Sequence, residues 1–354
     1  MSKKFETPYF LMYPKKLEAN LKCLASIEQQ SAVKILHTVK SFNEPTVLPS
    51  IVNATSGLSI ASSKELAMAL KANAKHIHLY APAFKASELE TMQEHIHTLS
   101  FNSLGQWEAF AHLSVSKGLR INPKLSLPIP DHCNPNLDYS RLGIDAGIFL
   151  THFNENREKF TTLEGLHFHA LFQSSVEGTV LLLDFIQEHF TEVLAQLKWL
   201  NLGGGHQFTN LNYDIDIFCK YIKNFQEKYP KIELFFEPGE AVTKGCGEFI
   251  CTVLDIVNIS GQEVVILDTS VETHLLDVTI AKMRLNVKNT QSESTPYFYE
   301  LAGNSCMQGD YIGEYFFKEK LSIGDVVVFE DMMGYFMVKM TEFNGMERAS
   351  FYLL

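Results

Sequence analysis

The chain has 354 residues, of which 46% are apolar and 20% charged, the composition of a folded protein rather than a disordered one. Its formal net charge of −11 argues against a nucleic-acid partner, because phosphate backbones bind basic surfaces, and suits a cationic small molecule. No apolar run is long enough to cross a membrane, and six scattered cysteines without a CxxC pair indicate a reduced, cytoplasmic protein.

Short strand-like runs alternate with amphipathic helical segments over the first two thirds of the chain. The runs occupy residues 33–39, 57–61, 76–81, 97–102, 118–123, 165–170, 198–204 and 232–239. Eight strand–helix units predict an α/β fold, a (β/α)8 TIM-type barrel over residues 14–243, with its active site at the carboxyl ends of the strands. Residues 124–164, rich in Pro, Asn and Asp, are expected to form a long loop with a short helix over the barrel mouth.

The pattern becomes β-rich after residue 243. Strand-like runs separated by turn residues occupy 247–259, 263–270, 296–303, 325–332 and 335–343. They predict a second, all-β, sandwich- or barrel-like domain over residues 244–354. The strand-like run at 8–13 is assigned to this domain, together with the rest of residues 1–13.

Lys40 directly follows the first predicted barrel strand. The preceding run, SAVKILHTV, is typical of a buried strand, so the ammonium group is expected at the barrel mouth. In an apolar cavity, loss of solvation lowers the pKa of a lysine and frees its amine to form an imine. A solvated or salt-bridged lysine at the barrel rim is the alternative.

Two further motifs follow later strands. NLGGGH places Gly203, Gly204 and Gly205 where backbone N–H groups can approach a phosphate, or where the chain simply makes a tight turn. FFEPGE places Glu237 where a carboxylate can either cap a turn or keep a ring nitrogen protonated. The lysine, the glycine loop and the carboxylate match three separate parts of pyridoxal 5'-phosphate, which is therefore the predicted cofactor.

Histidine pairs offer a metal alternative. His167 and His169 lie two apart on a predicted strand and so point to one side, as a pair of zinc ligands would. The pairs His76 with His78 and His95 with His97 have the same spacing, but His76 and His95 fall at strand beginnings, the wrong end of a barrel. We therefore predict no metal, with one imidazole of the 167/169 pair stacked on a cofactor ring and the other facing the core.

Eight segments, in order along nearly the whole chain, carry a resemblance to a known family: HTVKSF, SRLGI, GLHFHAL, LKWLNLGGGH, LFFEPGEA, ILDTSVETHLLDV, GNSCMQGDYIGEY and FEDMMGYFMVKMTEFNG. Together they resemble the alanine-racemase-fold (fold type III), pyridoxal-phosphate-dependent basic amino-acid decarboxylases, in particular the bacterial carboxynorspermidine (carboxyspermidine) decarboxylases. The resemblance implies decarboxylation of carboxynorspermidine, carboxyspermidine or both, to norspermidine or spermidine, in polyamine biosynthesis. It also implies a homodimer whose active sites are shared across the interface.

The resemblance implies roles for individual residues. Lys40 matches the lysine that carries the cofactor, His169 the imidazole on its ring, and Glu237 the partner of the pyridine nitrogen. Cys306 matches the cysteine that reaches across the dimer interface as the catalytic acid. The implied phosphate site comprises Gly203, Gly204, Gly205, Gly239 and Tyr335.

Departures from related ornithine-type decarboxylases bear on the substrate. Glu240 stands where those enzymes have an arginine near the phosphate, and Met307 where they have an aspartate for the distal amine of the substrate. The exchange suggests a longer, more cationic substrate, and the candidates for binding it are Glu240, His274, Asp277, Asp310 and Arg141. The alternatives are a decarboxylase of ornithine, lysine or diaminopimelate, a zinc-dependent barrel hydrolase, and a non-catalytic homologue that binds the cofactor.

Overall fold

The computed structural model describes residues 5–354, which form two compact units. One unit is the continuous segment Ala19–Val242. The other combines Thr243–Leu354 with the N-terminal residues through Glu18. The chain begins with the short strand β1 (Tyr9–Met12) and the helix α1 (Pro14–Ser31).

The segment Ala19–Val242 is a closed barrel of eight parallel strands, as predicted. The strands of this unit, including the two-residue β7 at the end of β6, are β2 (Lys34–Thr38), β3 (Gly57–Ile60), β4 (Ile77–Tyr80), β5 (Thr98–Phe101), β6 (Ser116–Asn122), β7 (Ile144–Asp145), β8 (Gly165–His167), β9 (Trp199–Asn201) and β10 (Glu233–Phe236). Pairing runs in parallel from β2 through β6 to β8, β9 and β10, and β10 pairs again with β2, which closes the ring. Several strands are buried at every residue, as expected for strands covered on both faces.

Helices separate the barrel strands and cover their outer side. They are α2 (Leu48–Ala54), α3 (Ser63–Lys71), α4 (Ala86–Met92), α5 (Leu104–Ala109), α6 (Ala146–Glu155), α7 (Val176–His189), α8 (Thr191–Leu194), α9 (Ile215–Lys228) and α10 (Glu240–Thr243). Capping side chains fix where some of these helices begin. Ser62 accepts a hydrogen bond from Glu65 N at 3.2 Å at the start of α3, and Asp214 accepts one from Ile217 N at 2.9 Å at the start of α9. No helix among residues 5–354 combines the length and the apolar character needed to cross a bilayer.

The stretch between β6 and β8 is more ordered than predicted. A loop with one 3₁₀ turn at Asp131–Cys133 leads into β7, and then α6 and a second 3₁₀ turn at Arg157–Phe160 follow. Asp145 caps α6 by accepting a hydrogen bond from Ile148 N at 2.9 Å. The irregular loop is therefore confined to about 20 residues that follow β6.

The side chain of Trp199 is part of the barrel core. Trp199 packs with Leu36 and Phe235 and donates a hydrogen bond from its indole nitrogen to Ser116 Oγ at 3.0 Å. A Cβ at Gly165 would lie 2.0 Å from this ring, so only glycine fits there.

The second unit is a mixed sheet with short helical turns. Its further elements are β11 (Gly247–Ile259), β12 (Gln262–Leu267), α11 (Asp277–Ile280), β13 (Thr290–Gln291), β14 (Phe298–Ala302), β15 (Tyr311–Phe317), β16 (Val326–Glu330), α12 (Tyr335–Val338), a 3₁₀ turn at Phe343–Gly345 and β17 (Ser350–Leu353). Among the described strands the order is β13-β15-β14-β12-β11-β1-β17, with β16 also paired to β11. The N-terminal strand β1 pairs antiparallel with β11 and parallel with β17.

Two details of the β-rich prediction were wrong. Residues 335–343 form the helical turn α12 and lead into a 3₁₀ turn, not a strand. The strand β15 was missed, because Gly313 and Glu314 interrupt its apolar pattern.

Candidate active site

Lys40 lies two residues after Thr38, the last residue of β2, in a turn fixed by its neighbours. Ser41 donates hydrogen bonds to Thr38 O from its backbone N at 2.9 Å and from its hydroxyl at 2.7 Å. Val39 N donates to Ser59 O on β3 at 3.0 Å. These bonds hold the base of the Lys40 side chain at the barrel mouth.

The Lys40 side chain opens into a cavity of about 360 Å³ that solvent reaches. Arg120 and His169 share this cavity, and the loop 131–142 forms its other side. Protein atoms around the ammonium group lower the pKa of Lys40 by desolvation; the charge of Glu237 opposes this shift and the charge of Arg120 adds to it. An amine whose pKa is lowered in an accessible cavity suits imine formation.

Glu237 lies at the carboxyl end of β10, with 5% of its surface exposed. Its Oε1 accepts a hydrogen bond from Asn201 Nδ2 on β9 at 2.7 Å. The Nε2 atoms of two histidines flank its oxygens: His78 at 3.8 Å from Oε1 and His167 at 3.7 Å from Oε2. The carboxylate is therefore buried on the same side of the barrel as Lys40 and is surrounded by groups that can donate hydrogen bonds.

His169 has a defined hydrogen bond and protonation state. Its Nδ1 accepts a hydrogen bond from Gly204 N at 3.1 Å, so the neutral ring carries its proton on Nε2. Burial holds the pKa of His169 well below its usual range, and the charges of Arg120 and Lys40 act in the same direction. A neutral imidazole at a cavity wall can stack on an aromatic ring.

This hydrogen bond also bears on the metal alternative. Nitrogen and oxygen atoms of His167, His169 and Glu237 lie within 4.8 Å of one another, close enough to suggest a metal site. However, Nδ1 of His169 is an occupied acceptor and Nε2 carries the proton, so neither nitrogen offers a lone pair without loss of the Gly204 bond. The geometry favours an aromatic cofactor over a metal ion.

The glycine loop is built as predicted, but two of its N–H groups are already in use. Gly203 and Gly205 have φ values of +66° and +89°, which favour glycine. Gly203 N donates to Asn201 Oδ1 at 2.8 Å and Gly204 N donates to His169. The loop thus positions the histidine and the asparagine, and an approaching phosphate would depend on N–H groups beyond Gly204.

Gly239 and Glu240 follow Glu237 at the end of β10. A Cβ at Gly239 would lie 2.8 Å from the Cβ of Ser41, so glycine allows the turn that bears Lys40 to come close. The carboxylate of Glu240 accepts hydrogen bonds from Gln173 Nε2 at 3.2 and 3.0 Å. Arg141 is exposed and lines the cavity that contains Lys40.

Sequence reasoning missed several residues of this cavity. Arg120 on β6 is 4% exposed, lies over the ring of Tyr80 at 4.6 Å and donates a hydrogen bond to His169 O at 3.4 Å. Glu65 and Tyr80 line a second, smaller cavity that Lys40 and Arg120 also border. A charged side chain inside the apolar run GLRINP was the available signal for Arg120, because positions 118, 120 and 122 of a strand share one face.

The remaining predicted site residues belong to the unit that contains the C-terminal sheet. Cys306 is exposed, and none of the six cysteines, all of which lie among the described residues, forms a disulfide. His274 is buried with both ring nitrogens bonded, to Thr269 Oγ1 and to Glu347 O, each at 2.9 Å. Tyr335 begins α12.

Two predicted substrate ligands in this unit are occupied carboxylates. Asp310 accepts hydrogen bonds from Val271 N at 2.7 Å and Ser305 N at 2.9 Å. Asp277 accepts one from Lys339 Nζ at 2.5 Å. These contacts show that the two carboxylates stabilise loops of their own unit, as the bonds of His274 do, and their role in binding substrate stays a prediction.

A (β/α)8 barrel with a cavity lysine, a buried carboxylate and a neutral histidine beside a glycine loop defines a pyridoxal 5'-phosphate enzyme, and the residues present fit that cofactor. Comparison with known proteins identifies the class. Family models match residues 15–244, as the pyridoxal binding domain of pyridoxal-dependent decarboxylases, and residues 213–333, as their C-terminal sheet domain. The chain belongs to the pyridoxal-dependent decarboxylase family and is a carboxy-lyase that uses pyridoxal 5'-phosphate.

Individual relatives match over almost the full chain. A carboxynorspermidine/carboxyspermidine decarboxylase of Campylobacter jejuni is 36% identical, covering 99% of this chain and 94% of the relative. A carboxyaminopropylagmatine decarboxylase of Synechocystis is 32% identical, covering 97% and 89%. The crystal structure of carboxynorspermidine decarboxylase from C. jejuni, complexed with norspermidine, has a TM-score of 0.89 at 34% identity and covers 99% of this chain and 94% of its own.

Proposed function

We propose that the enzyme removes the α-carboxylate from carboxynorspermidine, carboxyspermidine or both, releasing CO2 and norspermidine or spermidine. The observation that carries the proposal is the similarity, at 36% identity over 99% of the chain, to a relative that bears this name. Diaminopimelate decarboxylases reach only 23% identity, and lysine/ornithine decarboxylase structures 18%. The net charge of −11 suits a polycationic substrate.

In this proposal Lys40 would hold the cofactor through its amine until the amine of the substrate takes its place. The bound cofactor supplies an electron sink for the electrons left when CO2 departs. Glu237 accepts a hydrogen bond from the ring nitrogen, and His169 packs its neutral ring against the cofactor. The cavity between Lys40 and the loop 131–142 supplies room for the substrate chain.

Arg120 is a further candidate of the barrel. Its guanidinium is buried between Tyr80 and the His169 carbonyl, and desolvation by burial lowers its pKa, although arginine stays charged. A fixed cation beside Lys40 favours anionic groups of the cofactor or substrate at the cavity mouth. It also helps to keep the Lys40 amine neutral.

The phosphate site is proposed on the glycine loop and on Gly239. Gly203 and Gly204 shape it, since their own N–H groups are used within the barrel. Gly205 and Gly239 allow close approach of the backbone. The contribution of Tyr335 stays a prediction from the family resemblance.

We propose a homodimer in which Cys306 of one protomer delivers a proton to the α-carbon in the site of the other. The exposure of Cys306 is compatible with this role. A cytoplasmic location is proposed because none of the six cysteines, all among the described residues, forms a disulfide.

Subunit mixing tests the shared site. Lys40→Ala and Cys306→Ala proteins are each expected to be inactive, and equal amounts exchanged into mixed dimers should recover about a quarter of the wild-type sites. If Cys306 serves its own protomer, neither site of a mixed dimer is intact and no activity returns. A protein that is monomeric and active by light scattering would also contradict the proposal.

The substrate is tested by product formation from a panel of amino acids. Carboxynorspermidine and carboxyspermidine should give the highest kcat/KM; because they differ by one methylene, their ratio should lie within roughly 10- to 200-fold. Carboxyaminopropylagmatine belongs in the panel as the second candidate, because the Synechocystis relative covers 97% of the chain. Turnover of diaminopimelate, ornithine or lysine with no triamine product would overturn the assignment.

A further inference from the structure

Two histidines beneath the cofactor cavity have no role in the proposed function so far. His78, on β4, and His167, the last residue of β8, are each 1% exposed. Their rings meet edge to face at 5.4 Å, and both extend toward Glu237 from opposite sides of the barrel.

The surroundings of His167 contain few polar groups. Neither of its ring nitrogens has a hydrogen-bond partner among the described residues. Its other close neighbours are the rings of Tyr80 at 5.4 Å and His169 at 6.4 Å. The Glu237 carboxylate, 3.7 Å from Nε2, is thus the acceptor within reach, and a shift of under about 1 Å makes a hydrogen bond.

His78 lies near Oε1 of Glu237, the carboxylate oxygen that His167 does not face. Its Nδ1 contacts Thr98 Oγ1 at 2.8 Å, which fixes the ring, and Ser100 Oγ lies 3.2 Å from Nε2. If Thr98 donates to Nδ1, the proton of the neutral ring lies on Nε2, and this N–H points toward Ser100 Oγ and, farther away at 3.8 Å, toward Glu237 Oε1. Burial lowers the pKa of both histidines, so each imidazole is neutral and carries one N–H group.

We propose that His78 and His167 are positioning residues that hold Glu237 as a charged, rotationally fixed hydrogen-bond acceptor for the ring nitrogen of the cofactor. One imidazole acts at each carboxylate oxygen, and Asn201 completes the set at Oε1. Without such donors the carboxylate is free to rotate away from the position in which it would accept a hydrogen bond from the ring nitrogen. The pair therefore acts on cofactor binding through Glu237, whichever amino acid is the substrate.

The first test measures cofactor affinity by titrating apoenzyme with pyridoxal 5'-phosphate. His167→Asn is too short to reach Glu237, whereas His167→Gln places an amide N–H near the position of Nε2. We expect affinity to fall about 10- to 100-fold in the Asn variant, the range for losing a hydrogen bond to a charged group, and to recover most of that loss in the Gln variant. Equal affinities for the two variants would overturn the proposal.

The second test separates positioning from packing. His167→Phe should weaken cofactor binding in the wild type but cause no further loss in a Glu237→Gln background, because the effect passes through that carboxylate. Additive losses would show that the ring only packs. His76→Phe is the control. His76 precedes β4, the strand that carries His78, and stacks on His97 at the opposite end of the barrel from the cavity. The cofactor affinity of this variant should match that of the wild type. If this control loses as much cofactor affinity as His167→Phe does, the proposal is refuted. If His167→Phe does not fold, the comparison of His167→Asn with His167→Gln still decides.

Discussion

Gly205→Ala tests how the glycine loop is held against β8 and the segment that follows it. A Cβ at Gly205 would lie 2.1 Å from the carbonyl oxygen of Leu171 and 2.8 Å from Phe172 N, distances that real side chains do not tolerate. The residue also has φ +89°, in the left-handed region. The loop must therefore move away from the segment that carries His169.

The size of the effect can be worked from the structure. Left-handed backbone costs an alanine about 1–2 kcal/mol. Displacing the loop also threatens two hydrogen bonds, Ser174 N to Gly205 O at 2.7 Å and Gly204 N to His169 at 3.1 Å, which contribute about 0.5–1.5 kcal/mol each. The free energy of unfolding should fall by about 2–5 kcal/mol, which lowers the unfolding midpoint by about 4–20 °C for a unit of this size.

Gly261→Ala is the matched control. Gly261 has φ +91°, but no heavy atom lies within 4 Å of the position that a Cβ would take. This variant carries the backbone strain without the clash, so it should lose only about 1–2 kcal/mol and bind cofactor normally.

The assay combines thermal unfolding, followed by circular dichroism, with cofactor titration of the apoenzyme. Gly205→Ala should unfold at a lower temperature than Gly261→Ala and bind the cofactor more weakly. If the two variants lose the same stability and both keep wild-type affinity, the loop is not held by the contact with Leu171 and the reasoning fails.

Three further outcomes are expected. Lys40→Ala should abolish turnover and the visible absorption of the imine-bound cofactor, read by spectrophotometry; an unchanged spectrum would remove Lys40 from its proposed role. Cys306→Ser should lower kcat with little change in KM, as measured by steady-state kinetics, whereas Cys219→Ser should change neither; a raised KM with normal kcat would instead assign Cys306 to substrate binding. Burial lowers the pKa of His37 and of His206 from 6.5 to about 4, so between these pH values the unfolded chain binds more protons than the folded chain. The temperature of the unfolding midpoint should therefore fall as the pH drops from about 6.5 to 4, and these two groups should not change it above pH 6.5. A midpoint that rises on acidification would contradict this.

The barrel could be predicted because its information is local. Each barrel strand is a short apolar run next to a segment of helical periodicity, and eight such units have one common closed arrangement. The β-rich unit was predicted less well. Residues 335–343 contain strand-forming residue types, yet Gly334 at φ +85° starts a helical turn there, and β15 carries glycine and glutamate inside a paired strand.

The residues of the candidate site also differ in whether the sequence could indicate them. Lys40, His169 and Glu237 were found because each follows a strand and because its chemistry matches one part of the cofactor. Arg120, Tyr80 and Asn201 were missed, since a polar residue within an apolar run has no visible partner until neighbouring strands are placed. The internal use of the Gly203 and Gly204 N–H groups was equally invisible, because their acceptors come from Asn201 and His169.

The sequence by itself determined the barrel and the cofactor, and it supplied the residues at strand ends that we propose to bind the cofactor, because strand periodicity and residue chemistry are properties of short segments. Only the tertiary structure decided how those residues are held. Closure of the ring brings β4, β8 and β9 around the end of β10, so that His78, His167 and Asn201 meet at Glu237 across long sequence separations. A carboxylate buried at that point needs hydrogen-bond donors, which other strands supply, and the identity of these donors depends on which strands are neighbours.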